Sequence, residues 1–449
     1  MSGPKVVRIV TREELIATCE AHLARLDGTI RQWTKAGQRN DVLADADIEV
    51  VSARREQIAQ LLKAEDFMAV QKQAPLEIDF LQRDTQFRLD LAAKKAFEAR
   101  QRGRRNAEAG RVLLAALAKA GRDIPSDVRR VLENAGGEST PIDAAFSLAF
   151  TTLNPDPSAE LSETQIRLAA YHGGGEVRHM FPEWLAKQAD ANTSTFRKLD
   201  QALAELGTLG NAKDATEFGR RSEALSGQPI DGRAALLIDS LVMDVQSALK
   251  DARAANALFD ALSLLQAELG LYSNEQALAF IAEIKATSLS RDAVEAERLT
   301  AEVIEWLKTR KQADNAALRR EAMLKGLSEL GYAINEGLET LWAQDGKVVL
   351  RRAASPDYGV EIAGGQADKV QVRVVSFGTP GEARDTSRDR DMETIWCGDF
   401  GRLQASFAAK GTGLVIEKAL AVGEAPVKVI SGDVSRISSE SARPVLRTL

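Results

Sequence analysis

The stretch ELGYAINEGLETLWAQDGKVVLRR, residues 329–352, decides the fold, because the hydrophobic period changes within it. Before it, apolar residues recur three and four apart through an Ala-rich run of some 330 residues, the pattern of amphipathic helices. After Tyr332 the pattern alternates, with Asp345-Gly346 and Gly364-Gly365 as punctuation, so residues 334–430 read as strands. Gly331 is placed to stop the last helix, and the seam is read there. Asp345-Gly346 between Leu338–Gln344 and Lys347–Arg352 predicts a β-hairpin. Further strands are expected at Tyr358–Ile362, Val370–Phe377, Leu414–Ile416 and Val427–Ile430. Between them Met392, Ile395, Trp396, Leu403 and Phe407 share a helical face that can cover a sheet.

The fold expected is therefore mainly α: helical hairpins, partly coiled-coil, followed by a smaller C-terminal α+β domain with an antiparallel sheet. Residues 1–135 form an N-terminal helical region, 136–331 a central bundle, 332–430 the α+β domain and 431–449 a Ser-rich tail. The charged fraction of 28% against 5% aromatics, with only 12 Pro, suits long solvated helices. Glu-Leu-Gly ends three helical segments, at Gly207, Gly270 and Gly331, each read as a left-handed helix stop.

At the other end, Thr11 and Glu14 make a capping box. Leu15, Cys19, Leu23, Leu26, Ile30 and Trp33 then follow on one helical stripe, read as an interface for self-association or a protein partner. A second segment carries Ile48, Val51, Ile58 and Leu62, completing a helical hairpin. The opening Gly3–Val10 is assigned to no element. From Pro75 a longer helix carries Ile78, Leu81, Phe87, Leu91 and Phe97 as its apolar pattern. From Glu98 to Gly110 nothing larger than Ala is apolar, which predicts a solvated helix or a loop.

Around that stretch cluster Lys94, Lys95, Arg100, Arg102, Arg104, Arg105 and Arg111. Such a block can neutralise phosphates in a sequence-independent way, and equally can meet an acidic protein. No aromatic interleaves between Phe97 and Gly110 to stack on bases, and a net charge of -6 gives no global attraction for polyanions. A protein partner is favoured, with the phosphate backbone of a nucleic acid as an alternative.

The segment Tyr171-His172-Gly-Gly-Gly-Glu-Val-Arg-His179 holds two of the three histidines beside a triple glycine. It lacks the His-Glu-x-x-His spacing of zinc enzymes and the Gly-x-Ser-x-Gly elbow of esterases. Arg167 precedes His172 by five residues, and this Arg-x4-His spacing resembles that of helical HEPN-type ribonucleases. The resemblance covers only this motif; it implies RNA cleavage by Arg167 and His172, with His179 nearby, as an alternative to a simple inter-helix turn. His22 and Cys19 read as packing residues of the first helix.

Cys19 and Cys397 are too far apart in sequence to suggest a metal knuckle, and their scarcity points to a reducing compartment. No export signal or membrane-length apolar run is present, no phosphate-binding loop occurs, and no metal or cofactor is expected. The sequence thus leads to a cytoplasmic structural or adaptor subunit in preference to an enzyme, with the ribonuclease and the phosphate-backbone binder as alternatives and no membrane partner.

Overall fold

A computed structural model describes residues 3–136, 142–153, 191–226, 232–335, 337–352, 354–364, 369–379 and 385–430. Arg167, His172 and His179 lie outside the described residues. The large helical region comprises α1 (Arg12–Arg39), α2 (Asp45–Lys63), α3 (Phe67–Lys119), α4 (Ser126–Glu133), α5 (Ile142–Leu153), α6 (Ala191–Thr208), α7 (Ala212–Ser226), α8 (Gly232–Leu269), α9 (Glu275–Ser290) and α10 (Ala293–Glu329). A smaller C-terminal region follows, with α11 (Leu338–Asp345), β2 (Lys347–Arg352), β3 (Ser355–Gly364), β4 (Lys369–Phe377), α12 (Thr386–Ala409), β5 (Gly413–Ala419) and β6 (Lys428–Ile430). The expected mainly helical body and C-terminal sheet are both present. The chain resolves into two compact units, one of residues 1–28, 53–77 and 264–449, the other of 29–52 and 78–263.

The first unit is built on a sheet that the reading of its C-terminal block leaves incomplete. Lys5–Val10, assigned to no element from sequence, forms β1 and inserts between β4 and β5, giving the order β2-β3-β4-β1-β5. Lys5 and Val7 pair with Val372 and Val370 on one side, and Val7 through Val10 pair with Ile416 to Gly413 on the other. Alternation buries Lys5, Val7 and Ile9 on one face. The six-residue strand runs directly into the capping box, where Glu14 N–H donates to Thr11 Oγ1 at 3.1 Å, which leaves it little sequence in which to show its period. These pairings are antiparallel, but β6 joins the far half of β4 in parallel, at Val375–Phe377.

The predicted hairpin at Asp345-Gly346 is a correction. Leu338–Asp345 is helix α11, and Gly346, at φ 66°, is its left-handed cap, its N–H bonded to Trp342 O. Asp-Gly serves a tight hairpin turn and a helix stop equally; here Leu338 and Trp342, four apart and both buried, favour the helix. The other strand readings hold. On α12, Trp396, Leu403 and Phe407 face the core as expected, Met392 packs against it, and Ile395 is exposed. Among the three Glu-Leu-Gly helix ends, only Gly331 takes a positive φ, 85°.

In the second unit the stretch 98–110 is also a correction. It is neither loop nor free-standing helix but the interior of α3, a helix of 53 residues. It packs without large apolar side chains because its glycines let backbones touch: a Cβ on Gly110 would stand 2.5 Å from Leu132 O, and one on Gly103 would stand 2.8 Å from Gly136 O. Beyond it Leu113 and Leu117 enter a core with Leu132 and Phe146, and a second core joins Leu199, Leu203 and Leu206 to Leu241 and Val245.

Candidate functional site

The stripe Leu15, Cys19, Leu23, Leu26, Ile30 and Trp33, expected to be an interface, is covered by the chain itself. Cys19 and Leu26 are fully buried, Leu23 and Trp33 nearly so, while Leu15 and Ile30 are half-buried. In the first unit a Cβ on Gly28 would meet Leu264 Cδ2 at 3.1 Å and Ala267 Cβ at 3.2 Å. In the second, Trp33 Nε1 donates to Asp84 Oδ2 at 2.6 Å and Arg88 lies over the Trp33 ring at 5.4 Å. This stripe is core, because a two-helix hairpin cannot cover it and later helices do. Burial, then the neighbouring Arg25, lowers the pKa of His22.

The basic block divides. Arg104 turns inward: its guanidinium holds Asp200, which is 1% exposed, donates to Ser222 Oγ at 2.7 Å, and lies 5.1 Å over the Phe196 ring. Arg100 lies against Gly219, where a Cβ would meet its Nη1 at 3.1 Å, and Arg111 pairs with Glu108. Lys94, Lys95, Arg102 and Arg105 are exposed and have no ion-pair partner among the described residues. Three or four residues separate Lys94, Glu98, Arg102 and Arg105, which places them on one helical face.

The same face bears an apolar half that the sequence pattern assigns to the core. Phe87 and Leu91 are 66% and 38% exposed, and Phe80, one heptad before Phe87, is 42% exposed. Ile78 and Leu81 belong to the buried side of α3, so the apolar run from Ile78 to Leu91 spans two faces that a simple count merges. That mismatch was the available signal.

The first unit carries an open, shallow cleft lined by Tyr332, Arg352, Ser355, Tyr358, Met392 and Trp396, among others. Beside it the fully buried Asp399 accepts hydrogen bonds from Tyr332 OH at 3.0 Å, from Arg352 Nη1 at 2.9 Å and from Arg402. Burial, then the carboxylate of Asp399, pushes the Tyr332 phenol well above its ordinary range, so it stays a donor. Tyr358 OH donates to Asp389 Oδ1 at 2.7 Å, and Trp396 Nε1 is buried with no acceptor among the described residues. The cleft's cavity volume of about 20 Å³ is on the scale of one water and far below that of small-molecule sites.

Beyond that cleft, Lys5 is 1% exposed, its Nζ 5.2 Å from the Phe400 ring centroid and without a hydrogen-bond partner among the described residues. Burial lowers its pKa, and Cys397 and Glu393 oppose that shift. Among the described residues no group of three His, Cys, Asp or Glu side chains is placed to hold a metal, and no helix is long and apolar enough to cross a membrane. In comparison with known proteins, no family model matches the chain, and no curated protein or solved structure matches it significantly.

Proposed function

We propose that the chain is a structural or adaptor subunit of a cytoplasmic protein assembly, acting through helix association. One observation carries this reading: Phe87 and Leu91 stand exposed on one side of α3, where solvent contact of aromatic and aliphatic surface is costly. Partner association would remove that surface from water. The association site moves from the α1 stripe, which is internal, to α3.

Purification of the full chain from its native host, followed by mass measurement of the intact complex, tests the reading. The expected result is a defined complex that dissociates when Phe87→Ser and Leu91→Ser are combined, with the helical spectrum unchanged. A monomeric chain that cleaves RNA, and loses that cleavage in His172→Ala, would establish the ribonuclease alternative instead.

A further inference from the structure

We infer that the α3 face binds an amphipathic helix of another protein, apolar along one half and acidic along the other. This rests on the adaptor reading and specifies its partner. The face runs from Phe87 through Leu91 to Lys94, Arg102 and Arg105 in steps of four, three, eight and three residues, so it follows one line along a continuous helix. At 1.5 Å per residue that line is ~27 Å long, the length of a helix of about 18 residues.

Its two halves differ in chemistry. The first offers exposed Phe87 and Leu91; the second offers four exposed cations with no ion-pair partner among the described residues, and Glu98 is the only acid between Lys94 and Arg105. On the other side of α3, Gly103 and Gly110 are covered by the segment at Leu132 and Gly136, and Arg104 is tied to Asp200. The Phe87–Arg105 side is therefore the one left for a partner.

Charge complementarity selects the occupant. A second copy of this helix would set cations against cations or against phenyl rings, since neither half carries an acidic run. A nucleic-acid strand would satisfy the cations but would meet Glu98 among them, and Phe80 and Phe87 are ~10 Å apart along the axis, too far to stack successive bases. An anionic bilayer would meet exposed Asp79 and Asp90 flanking the apolar half. A helix with discrete side chains fits both halves: apolar anchors at three- and four-residue spacing against Phe87 and Leu91, then Asp or Glu against Lys94, Arg102 and Arg105.

The probe is a labelled synthetic helix of about 18 residues, Leu-striped in one half and Glu-striped in the other, beside a control with Lys for Glu. Binding to the full-length protein is followed by fluorescence anisotropy. The expected result is binding of the Glu peptide, weakened about tenfold or more by Phe87→Ser and, independently, by Arg102→Glu combined with Arg105→Glu; the charge-reversed protein then prefers the Lys peptide. Equal binding to wild type and charge-reversed protein overturns the inference, as does displacement of the peptide by a single-stranded oligonucleotide or by phosphatidylserine vesicles. A native complex that survives charge reversal but not Phe87→Ser sinks only the acidic-helix assignment; the absence of any native complex sinks the adaptor reading itself.

Discussion

Arg104 grips the buried carboxylate of Asp200 with two nitrogens, Nε to Oδ2 at 2.6 Å and Nη2 to Oδ1 at 2.8 Å. The paired contact ties α3 to α6, and Gln101 Nε2 adds a further donor to Asp200 at 3.0 Å. An arginine in a run of basic residues thus serves the interior of the second unit, where a planar fork matches a carboxylate.

Breaking that pair from one side leaves a charge in the core. Arg104→Met is expected to cost about 3–5 kcal/mol of unfolding free energy, because Asp200 stays buried without its cation. The double change Arg104→Met with Asp200→Leu should recover most of the loss. Urea denaturation of the three proteins measures both terms; a near-neutral single variant would show that Asp200 finds water or another donor.

The sheet needs a strand that lies far away in sequence. A fragment of residues 330–449 lacks β1, so β4 and β5 lose the partner that stands between them. It is expected to be unfolded or aggregating by circular dichroism and light scattering, since a central gap exposes two strand edges. Fusing residues 3–11 to that fragment through a flexible linker should restore β-structure. A folded, monomeric fragment without them would contradict the role given to β1.

Lys5 is a cation in an apolar core, and Lys5→Met should stabilise the protein by about 1–3 kcal/mol at neutral pH. Burial lowers its pKa, so between the folded value and the ordinary lysine range the unfolded chain holds more protons than the folded one. Stability from this residue therefore rises as pH rises through that window. The gap in melting temperature between Lys5→Met and wild type should narrow toward alkaline pH, compared below the range in which tyrosines ionise. A gap independent of pH would mean that Lys5 is not held near neutrality by its surroundings.

Two glycines in long helices should respond in opposite ways to Ala. At Gly110 the new Cβ would press on Leu132 O, a backbone atom with little room to yield, and a loss of about 1–3 kcal/mol is expected. At Gly398, inside α12, nothing stands within 4 Å of the Cβ position, and helix propensity should give a gain of up to about 1 kcal/mol. Thermal melts of the two variants provide the comparison. Equal responses would show that close packing against the segment at Leu132 does not govern Gly110.

How much of this was legible in the sequence depended on how local the cause was. Strands β3 and β4 and the covering face of α12 announce themselves because Tyr358, Val360 and Ile362, then Val370, Val372 and Val374, alternate, and Trp396, Leu403 and Phe407 recur at helical spacing. Strand β1 does not, since its six residues acquire meaning only from Val370 and Leu414. Asp345-Gly346 misled because one dipeptide serves two turn chemistries. On α3 the cations were visible as a cluster, but which of them face solvent depended on Asp200 in another helix. Phe87 shows the same limit from the apolar side: period counts it with the core, and only the geometry sets it outside.

The position of β1 also fixes an order of events during synthesis. Lys5–Val10 is synthesised about 360 residues before its hydrogen-bonding partners, which begin at Lys369. At bacterial or eukaryotic elongation rates that interval is ~20–70 s. Throughout it the nascent chain carries an unpaired Val-Ile strand, while the helices made in between fold from local contacts. The sheet closes only after β5 emerges, so β1 finds its place only once that last partner is made.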